Sequence, residues 1–228
     1  MRVDEIFGPT IAGEGSIAGA VTMFVRLGGC DYRCSWCDTL HAVDPTNAPR
    51  WMDMEPDGIV DAMEQLAPDL APGTWVSISG GNPAIWQTEL PQLVKALQKA
   101  SYRVNIETQG SVPNEAFREA DVVTISPKGP SSGMVTDREK LARCIMQAQS
   151  RAVLKFVVGT DEDLEFARDI TREHRFNPIF VQPLTDARTL SGDRYRWLCE
   201  TVATDPALAA WRVIPQLHVL AWGGDRGH

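Results

Sequence analysis

The sequence predicts an α/β protein built on a parallel β-sheet, either open or curled into a partial barrel. Short apolar, β-branched segments bounded by Gly, Pro, Asn or Ser alternate with amphipathic segments, which is typical of strand–helix–strand units. The least common residue types follow the ends of predicted strands, where parallel α/β folds gather their functional groups. The length of 228 residues suits one domain, and no change in composition divides residues 1–228.

Six segments are predicted to be strands, and 211–216 is a candidate seventh. The six are 21–27, 75–79, 103–108, 121–126, 152–158 and 178–183. Helical periodicity is found in 55–67, 89–100, 137–149, 161–174 and 194–202. Thr160 and Asp161 are expected to cap the fourth helix, because side-chain oxygens there accept hydrogen bonds from free backbone N–H groups.

Residues suited to binding follow five of the predicted strands. The first is followed by three cysteines; the others are followed by Ser79-Gly80-Gly81-Asn82-Pro83, Glu107-Thr108, Ser126-Pro127-Lys128 and Gln182-Pro183. Because the carboxyl ends of parallel strands meet at one edge of a sheet, we expect these residues to form one site.

The composition restricts the classes of partner. Net charge is −8, which disfavours non-specific binding of nucleic acid. The first residues, MRVDEIFGPT, lack the apolar region of a secretory signal, and no apolar run is long enough to span a bilayer. We therefore expect a cytoplasmic protein with neither a membrane nor a nucleic-acid partner. Cys144 and Cys199 are isolated and are expected to be buried apolar residues.

The other three cysteines have the spacing C-x3-C-x2-C, at Cys30, Cys34 and Cys37. In a reducing compartment, clustered thiolates are typical of zinc or iron–sulfur sites. Structural zinc takes four ligands, usually in two separated pairs. His41 lies only four residues past Cys37, too close for an easy tetrahedral site. Three cysteines instead suit a 4Fe–4S cluster with one iron open to a small molecule.

The cysteine spacing, with Trp36 before the third cysteine, resembles the radical S-adenosylmethionine (SAM) superfamily. The resemblance implies a partial (β/α)6 barrel in which the open iron chelates SAM. It further implies that an electron from the cluster cleaves SAM to a radical, which abstracts a hydrogen atom.

Two further motifs resemble SAM-contacting segments of that superfamily. Residues 79–83 resemble the GGE motif, with Asn82 where Glu is usual, and residues 126–128 resemble a second segment. The resemblance implies SAM contacts from Trp36, Cys37, Asp38, Gly81, Glu107, Ser126, Pro127 and Lys128. Simpler interpretations are a strand-to-helix turn at Gly80–Gly81, a solvated Lys128 and an exposed Glu107.

Residues 5–39 resemble the 7-carboxy-7-deazaguanine synthase family more specifically. The segments are 10–15 (TIAGEG), 24–30 (FVRLGGC) and 36–39 (WCDT), with Ala12 in place of the usual Gln. The resemblance implies ring contraction of 6-carboxy-5,6,7,8-tetrahydropterin to 7-carboxy-7-deazaguanine, with loss of ammonia and SAM regenerated. It also implies a homodimer and a flavodoxin- or ferredoxin-type reductant.

The family pattern implies individual residue roles. Substrate contacts would come from Ile11, Ala12, Gly13, Glu14, Arg26, Ser79 and His218. Thr39 would bind Mg2+, a hard cation that prefers oxygen ligands; its alternative role is a helix N-cap. The ending departs from the family's Thr-His-Lys type, because Val219 replaces the lysine.

Three other functions compete with this hypothesis. A glycyl-radical-enzyme activase shares the cysteine loop and SAM, but would lack the Gly-Glu-Gly segment and Arg26 as a substrate contact. A non-catalytic iron–sulfur electron carrier leaves residues 79–83 and 126–128 without a role. A zinc-stabilised binding module would contain zinc and no sulfide, which metal analysis distinguishes.

Overall fold

The fold centres on one nine-stranded sheet, in a computed structural model that describes residues 1–174, 178–186, 189–223, 225 and 227. Within those residues the strand order is β3-β1-β2-β4-β5-β6-β7-β8-β9. Strand β2 and strands β4 to β9 pair in parallel, as predicted. The strands are β1 Arg2–Ile11, β2 Val21–Leu27, β3 Met52–Asp53, β4 Trp75–Gly80, β5 Arg103–Thr108, β6 Val122–Ile125, β7 Ala152–Val158, β8 Ile179–Pro183 and β9 Trp211–Val213.

The helices are α1 Leu40–Val43, α2 Pro56–Leu66, α3 Glu89–Lys99, α4 Arg138–Ala148, α5 Asp161–Glu173, α6 Gly192–Thr204 and α7 Leu217–Trp222. Five of the helices, α2 to α6, lie where helical periodicity predicts them, whereas the short helices α1 and α7 were not predicted. Helix α5 begins with a capping box between Thr160 and Asp163, which confirms Thr160 as a cap but replaces Asp161 by Asp163 as its partner. None of the helices in the described part of the chain is both long enough and apolar enough to cross a bilayer.

Strand β1 is absent from the sequence prediction. Asp4 and Glu5 interrupt its apolar pattern, and Pro9 lacks a backbone N–H for the ladder. The register shifts between Phe7 and Thr10 accommodate that gap. Strand β1 pairs antiparallel with β2, and Phe7 stacks on Phe24 with ring centroids 4.9 Å apart. Pairing with β2 makes the N-terminal segment part of the sheet.

The two faces of the central strands differ in polarity. Val76 and Ile78 of β4 are fully buried in the apolar core with the helices. The alternating Ser77 faces the opposite side, because successive side chains of a strand point in opposite directions. There the Asn105 side chain donates to Ser77 Oγ and accepts from Thr124 Oγ1, both at 2.9 Å. This polar face underlies the site described below.

The isolated cysteines differ from each other. Cys144 is fully buried in the core, as expected, and burial raises the pKa of its thiol to about 12. The expectation for Cys199 is wrong, because this residue is only half-buried. Its neighbour Leu198 on α6 takes the fully buried position instead.

Candidate active site

A cavity of about 260 Å³ opens where the parallel strands end. Nearly all of the residues singled out from the sequence line it; Pro127 is instead buried outside the lining. Those on the wall are Ile11, Ala12, Gly13, Glu14, Arg26, Cys30, Cys34, Trp36, Cys37, Asp38, Thr39, Ser79, Gly81, Glu107, Ser126, Lys128 and His218. The fold thus brings together residues from both ends of the chain.

The cysteine loop, residues 28–39, places three half-buried thiols on this cavity. Among the described residues, the sulfurs are not part of any set of three ligand atoms that all lie within 4.8 Å of one another. A single tetrahedral ion would draw them closer than that, whereas a multinuclear cluster holds its ligands further apart. Burial raises the pKa of the Cys30 thiol, and that of Cys34 to about 11. Metal binding would therefore displace thiol protons. The donor set fits an iron–sulfur cluster.

The cysteine loop rests on residues 129–135, which we call the brace segment. Ser35 donates its backbone N–H to Ser132 O and its hydroxyl to Ser131 O, both at 2.9 Å. Trp36 Nε1 donates to Ser131 Oγ at 3.1 Å. The brace segment is itself anchored, because Ser131 N donates to Asp163 Oδ1 at 2.9 Å. The beginning of α5 thereby positions the loop between the second and third cysteines.

We expect Ser131→Ala to weaken this support without unfolding the protein. Trp36 Nε1 would lose its acceptor, and the bound cluster would lose iron to a chelator roughly threefold to tenfold faster, the range of one hydrogen bond. The measurement is anaerobic iron release from the reconstituted protein.

Two variants control for this prediction. Ser131→Thr keeps the hydroxyl and should restore slow release. Ser132→Ala removes a hydroxyl whose bonds, to Gly129 O and from Met134 N, stay inside the brace segment. If Ser132→Ala released iron as fast as Ser131→Ala, the folding of the brace segment would explain the effect, and the contact with Trp36 would not.

Gly80 and Gly81 lie where β4 meets the cysteine loop. Gly80 has φ +125°, a conformation that favours glycine. A Cβ on Gly81 would lie 1.9 Å from Gly29 O, and Asn82 N donates to that oxygen at 2.8 Å. The pair does form a strand-ending turn, but close backbone approach to the cysteine loop also requires glycine.

Asn82 points away from the cavity into the protein. Its side chain is fully buried, and its amide Nδ2 donates to Asp31 Oδ1 at 2.8 Å and to Ser111 Oγ at 3.2 Å. Its Oδ1 accepts from Thr108 Oγ1 at 2.8 Å and from Ala84 N at 3.2 Å. All four hydrogen-bonding positions of the amide are therefore satisfied.

A buried lysine that sequence reasoning missed, Lys155, lines the cavity. Lys155 Nζ forms ion pairs with Glu14 and, at 3.5 Å, with Glu107. Glu107 also accepts from Ser77 Oγ at 2.9 Å. Glu107 is therefore not the exposed charge that the simpler interpretation assumed. The available signal was one lysine inside the apolar strand AVLKFVV, since lysine is rarely buried without a partner.

The two charges of this pair stabilise each other. Burial alone would raise the pKa of Glu14, but attraction to Lys155 and then His218, with hydrogen bonds from Lys155 and Gln216, brings it well below the ordinary range. Burial alone would lower the pKa of Lys155, but the Glu14 and Glu107 charges raise it well above its ordinary value. Both groups are ionised near neutral pH.

The chain's C-terminal region meets its N-terminal segment at this site. Leu217 N donates to Gly13 O at 3.1 Å, and a Cβ on Gly13 would lie 2.1 Å from His218 Nδ1. Gln216 donates to Glu14. His218 thus lies on the wall of the cavity, and Val219, which replaces the family's lysine, lines it too. Residues 224, 226 and 228 of the ending lie outside the described residues.

Arg26 and Lys128, two other predicted site residues, also have defined partners. Arg26 Nε pairs with Glu5 Oε1 at 2.8 Å, so a protein carboxylate already partners this cation. Lys128 Nζ donates to Ser126 O and Oγ, both at 3.0 Å, and is not the solvated lysine of the simpler interpretation. Burial, followed by repulsion from Lys155, lowers its pKa.

Thr39 occupies the N-cap position of α1, yet its side chain makes no capping hydrogen bond. Its Oγ1 lies 3.7 Å from Cys37 Sγ. The hydroxyl therefore faces the cavity and the cysteine loop.

Comparison with known proteins shows which family this chain resembles. The Radical SAM superfamily model matches residues 24–151. The chain is 40% identical to the 7-carboxy-7-deazaguanine synthase of Bacillus subtilis (strain 168), with 98% of this chain and 96% of the relative covered. It is 32% identical to the enzyme of that name from Pyrobaculum aerophilum, with 100% and 97% covered.

A solved structure agrees with these relatives. The crystal structure of QueE from Escherichia coli matches with a TM-score of 0.74 and 25% sequence identity, covering 94% of this chain and 93% of that one. The predicted radical SAM fold, a partial (β/α)6 barrel, is confirmed. Because relatives more than 30% identical align over nearly their whole length, the chain belongs to the 7-carboxy-7-deazaguanine synthase family of the radical SAM superfamily.

Proposed function

We propose that this protein converts 6-carboxy-5,6,7,8-tetrahydropterin to 7-carboxy-7-deazaguanine with release of ammonia, which makes it a carbon–nitrogen lyase. The observation that supports this most directly is the shared cavity. It joins the three cysteines to the segment 11–14 and to the buried Glu14–Lys155 pair.

Cys30, Cys34 and Cys37 would hold the 4Fe–4S cluster. When bound, the cluster and SAM supply the radical chemistry that side chains cannot perform. The proposed SAM contacts are Trp36, Cys37, Asp38, Gly81, Glu107, Ser126, Pro127 and Lys128; all of them except Pro127 line the cavity that the three cysteines also line, which supports this part of the proposal. Trp36 is held by Ser131, so the brace segment would orient one wall of the SAM site.

The substrate would lie between the N-terminal segment and the polar face of the sheet. Backbone groups of Ile11, Ala12 and Gly13 would meet the pterin edge, with Ser79 and His218 as further contacts. Glu14 is ionised and can only accept hydrogen bonds, which suits paired N–H donors. Arg26 would attract the substrate carboxylate from its place beside Glu5.

Lys155 would act as a fixed positive charge and not as a proton donor. Its raised pKa keeps it protonated across neutral pH. It would hold Glu14 ionised in a site from which substrate excludes water, and it also pairs with Glu107 at 3.5 Å. The substrate-facing and SAM-facing carboxylates would thereby keep their orientation before either ligand binds.

Mg2+ would bind at Thr39, whose Oγ1 lines the cavity without a capping partner. We expect Thr39→Ala to retain SAM cleavage but to lower the response of product formation to added Mg2+, because a hard cation needs its oxygen ligands. The measurement is initial rate against Mg2+ concentration. Thr39→Ser should restore the response, whereas an unchanged response in Thr39→Ala would remove this role.

The remaining partners in this proposal are a flavodoxin- or ferredoxin-type reductant and a second copy of the chain in a homodimer. The net charge of −8 disfavours a nucleic-acid partner. No membrane partner is proposed, and the proposed compartment is the cytoplasm.

The test is anaerobic reconstitution with iron and sulfide, followed by dithionite, SAM, Mg2+ and 6-carboxytetrahydropterin, read by mass spectrometry. A 7-carboxy-7-deazaguanine peak, without proportional consumption of SAM, is the expected result. SAM cleavage to 5′-deoxyadenosine without that product would overturn the proposed substrate and favour the hypothesis of a glycyl-radical-enzyme activase. Zinc without sulfide would overturn the cluster.

A further inference from the structure

Gln109 lies directly after β5 and reaches back to the first cysteine. Its Nε2 donates to Asp31 Oδ1 at 2.8 Å and lies 3.6 Å from Cys30 Sγ, within range for a hydrogen bond to sulfur. The side chain is buried, with 6% of its surface exposed. Gln109 was not among the residues singled out from the sequence.

The orientation of this amide depends on Asp31. The Asp31 carboxylate oxygen that accepts from Gln109 also accepts from Asn82 Nδ2 at 2.8 Å. Asp31 is itself exposed, while Asn82 is fully buried and anchored by Thr108 and Ser111. Two amide donors therefore converge on one oxygen next to Cys30.

This arrangement depends on the departure from the GGE pattern. A glutamate at position 82 would place a second carboxylate against Asp31 and would provide no donor to it. The carboxylate next to position 82 belongs instead to Asp31 of the cysteine loop, which accepts from the Asn82 amide at 2.8 Å. Asn82 and Asp31 thus form one amide–carboxylate pair.

A hydrogen bond to a ligand sulfur stabilises the more negative, reduced state of an iron–sulfur cluster. Tyr32 N also lies near Cys30 Sγ, at 3.4 Å, but it belongs to the cysteine loop itself. Gln109 is a separate side-chain donor that lies directly after β5, and its removal leaves the Tyr32 donor in place.

We propose that Gln109 is a positioning residue that raises the reduction potential of the cluster, and that the Asp31–Asn82 pair holds its amide on Cys30. This inference rests on the proposed function only in that Cys30, Cys34 and Cys37 hold the cluster. It does not depend on the identity of the substrate.

The first experiment is a redox titration of the reconstituted protein. The electron paramagnetic resonance signal of the reduced cluster is measured at each potential. In Gln109→Leu we expect a more negative midpoint potential, equivalent to a roughly threefold to tenfold smaller equilibrium constant for reduction, as for one lost hydrogen bond. Gln87→Leu is the matched control, because its amide donates only to backbone oxygens of Ala84 and Pro113. An unchanged potential in Gln109→Leu would overturn the inference.

A charge exchange tests the pair independently. Asn82→Glu should shift the potential in the same direction, because it adds negative charge and displaces the Asp31 oxygen from Gln109. The double variant Asn82→Glu with Asp31→Asn restores the net charge and one amide–carboxylate pair, and it should return the potential towards wild type. A double variant no closer to wild type than Asn82→Glu alone would contradict the role of the pair.

Iron and sulfide content is measured on the wild type and on each variant. It distinguishes failure of the proposed function from failure of this inference alone. If the wild-type protein binds no 4Fe–4S cluster, the proposed function fails and this inference fails with it. If the cluster forms and SAM is cleaved but Gln109→Leu titrates like wild type, this inference alone fails.

Discussion

Cys34→Ala is expected to abolish the cluster and all SAM cleavage. Cys34 is the middle of three thiols on one loop, and two thiolates leave two irons of a cubane without a protein ligand. Reconstituted protein should lack the visible absorbance of the cluster, with iron content near background, and product should fall below detection. The measurement is iron and sulfide analysis together with the anaerobic assay.

Cys199→Ala is the matched control for this result. Cys199 is half-buried on α6 and lies outside the cavity. We expect normal iron content and product formation in this variant. Full cluster content in Cys34→Ala would contradict the assignment of the cluster to this loop.

Lys155→Met should lower both the free energy of unfolding and the affinity for SAM. Removing one partner of a buried ion pair leaves uncompensated charge, so we expect the free energy of unfolding to fall by about 3 kcal/mol. The two carboxylates it separates, Glu14 and Glu107, would then lack their shared cation. Denaturant unfolding of the protein measures the loss, and titration with SAM measures the effect on binding.

The loss of unfolding free energy in Lys155→Met should depend on pH in a defined direction. In the wild type, Glu14 has a lowered pKa and contributes stability above its unfolded pKa, which is lost as pH falls through its folded pKa. Lys155 has a raised pKa, so its contribution is present below its unfolded pKa and is lost as pH rises through its folded pKa. Without Lys155, burial dominates and the pKa of Glu14 rises. The difference in unfolding free energy between wild type and Lys155→Met should therefore narrow as pH falls through the raised Glu14 pKa of the variant. It should narrow further below about 4.3, the ordinary value for Glu, where the wild type loses its Glu14 contribution.

Lys140→Met provides the comparison for Lys155→Met. Lys140 pairs with Asp137 at 3.8 Å, and both side chains are about half exposed. An exposed pair of this kind contributes less than about 1 kcal/mol. Equal losses in the two variants would show that the buried position of Lys155 has no special role.

Much of the architecture was determined by the sequence alone. Period-two and helical patterns, with Gly and Pro at their boundaries, predicted the parallel strands and the helices that follow them, because these signals act over a few residues. The order of strands along the chain also implied that their carboxyl ends would share one edge. For that reason the cysteines, residues 79–83 and residues 126–128 could be assigned to one site before the structure was known.

Only the tertiary structure decided how that site is held together. Lys155 and Glu14 are 141 residues apart in sequence, and Gln216 and Glu14 are 202 apart. The contact of Gln109 with Cys30 spans 79 residues. No local pattern encodes such pairings, because they depend on how the sheet curves and where loops cross it. The sequence therefore predicted the candidate site residues, whereas only the fold shows their contacts with the buried lysine and with the amides of Gln109 and Gln216.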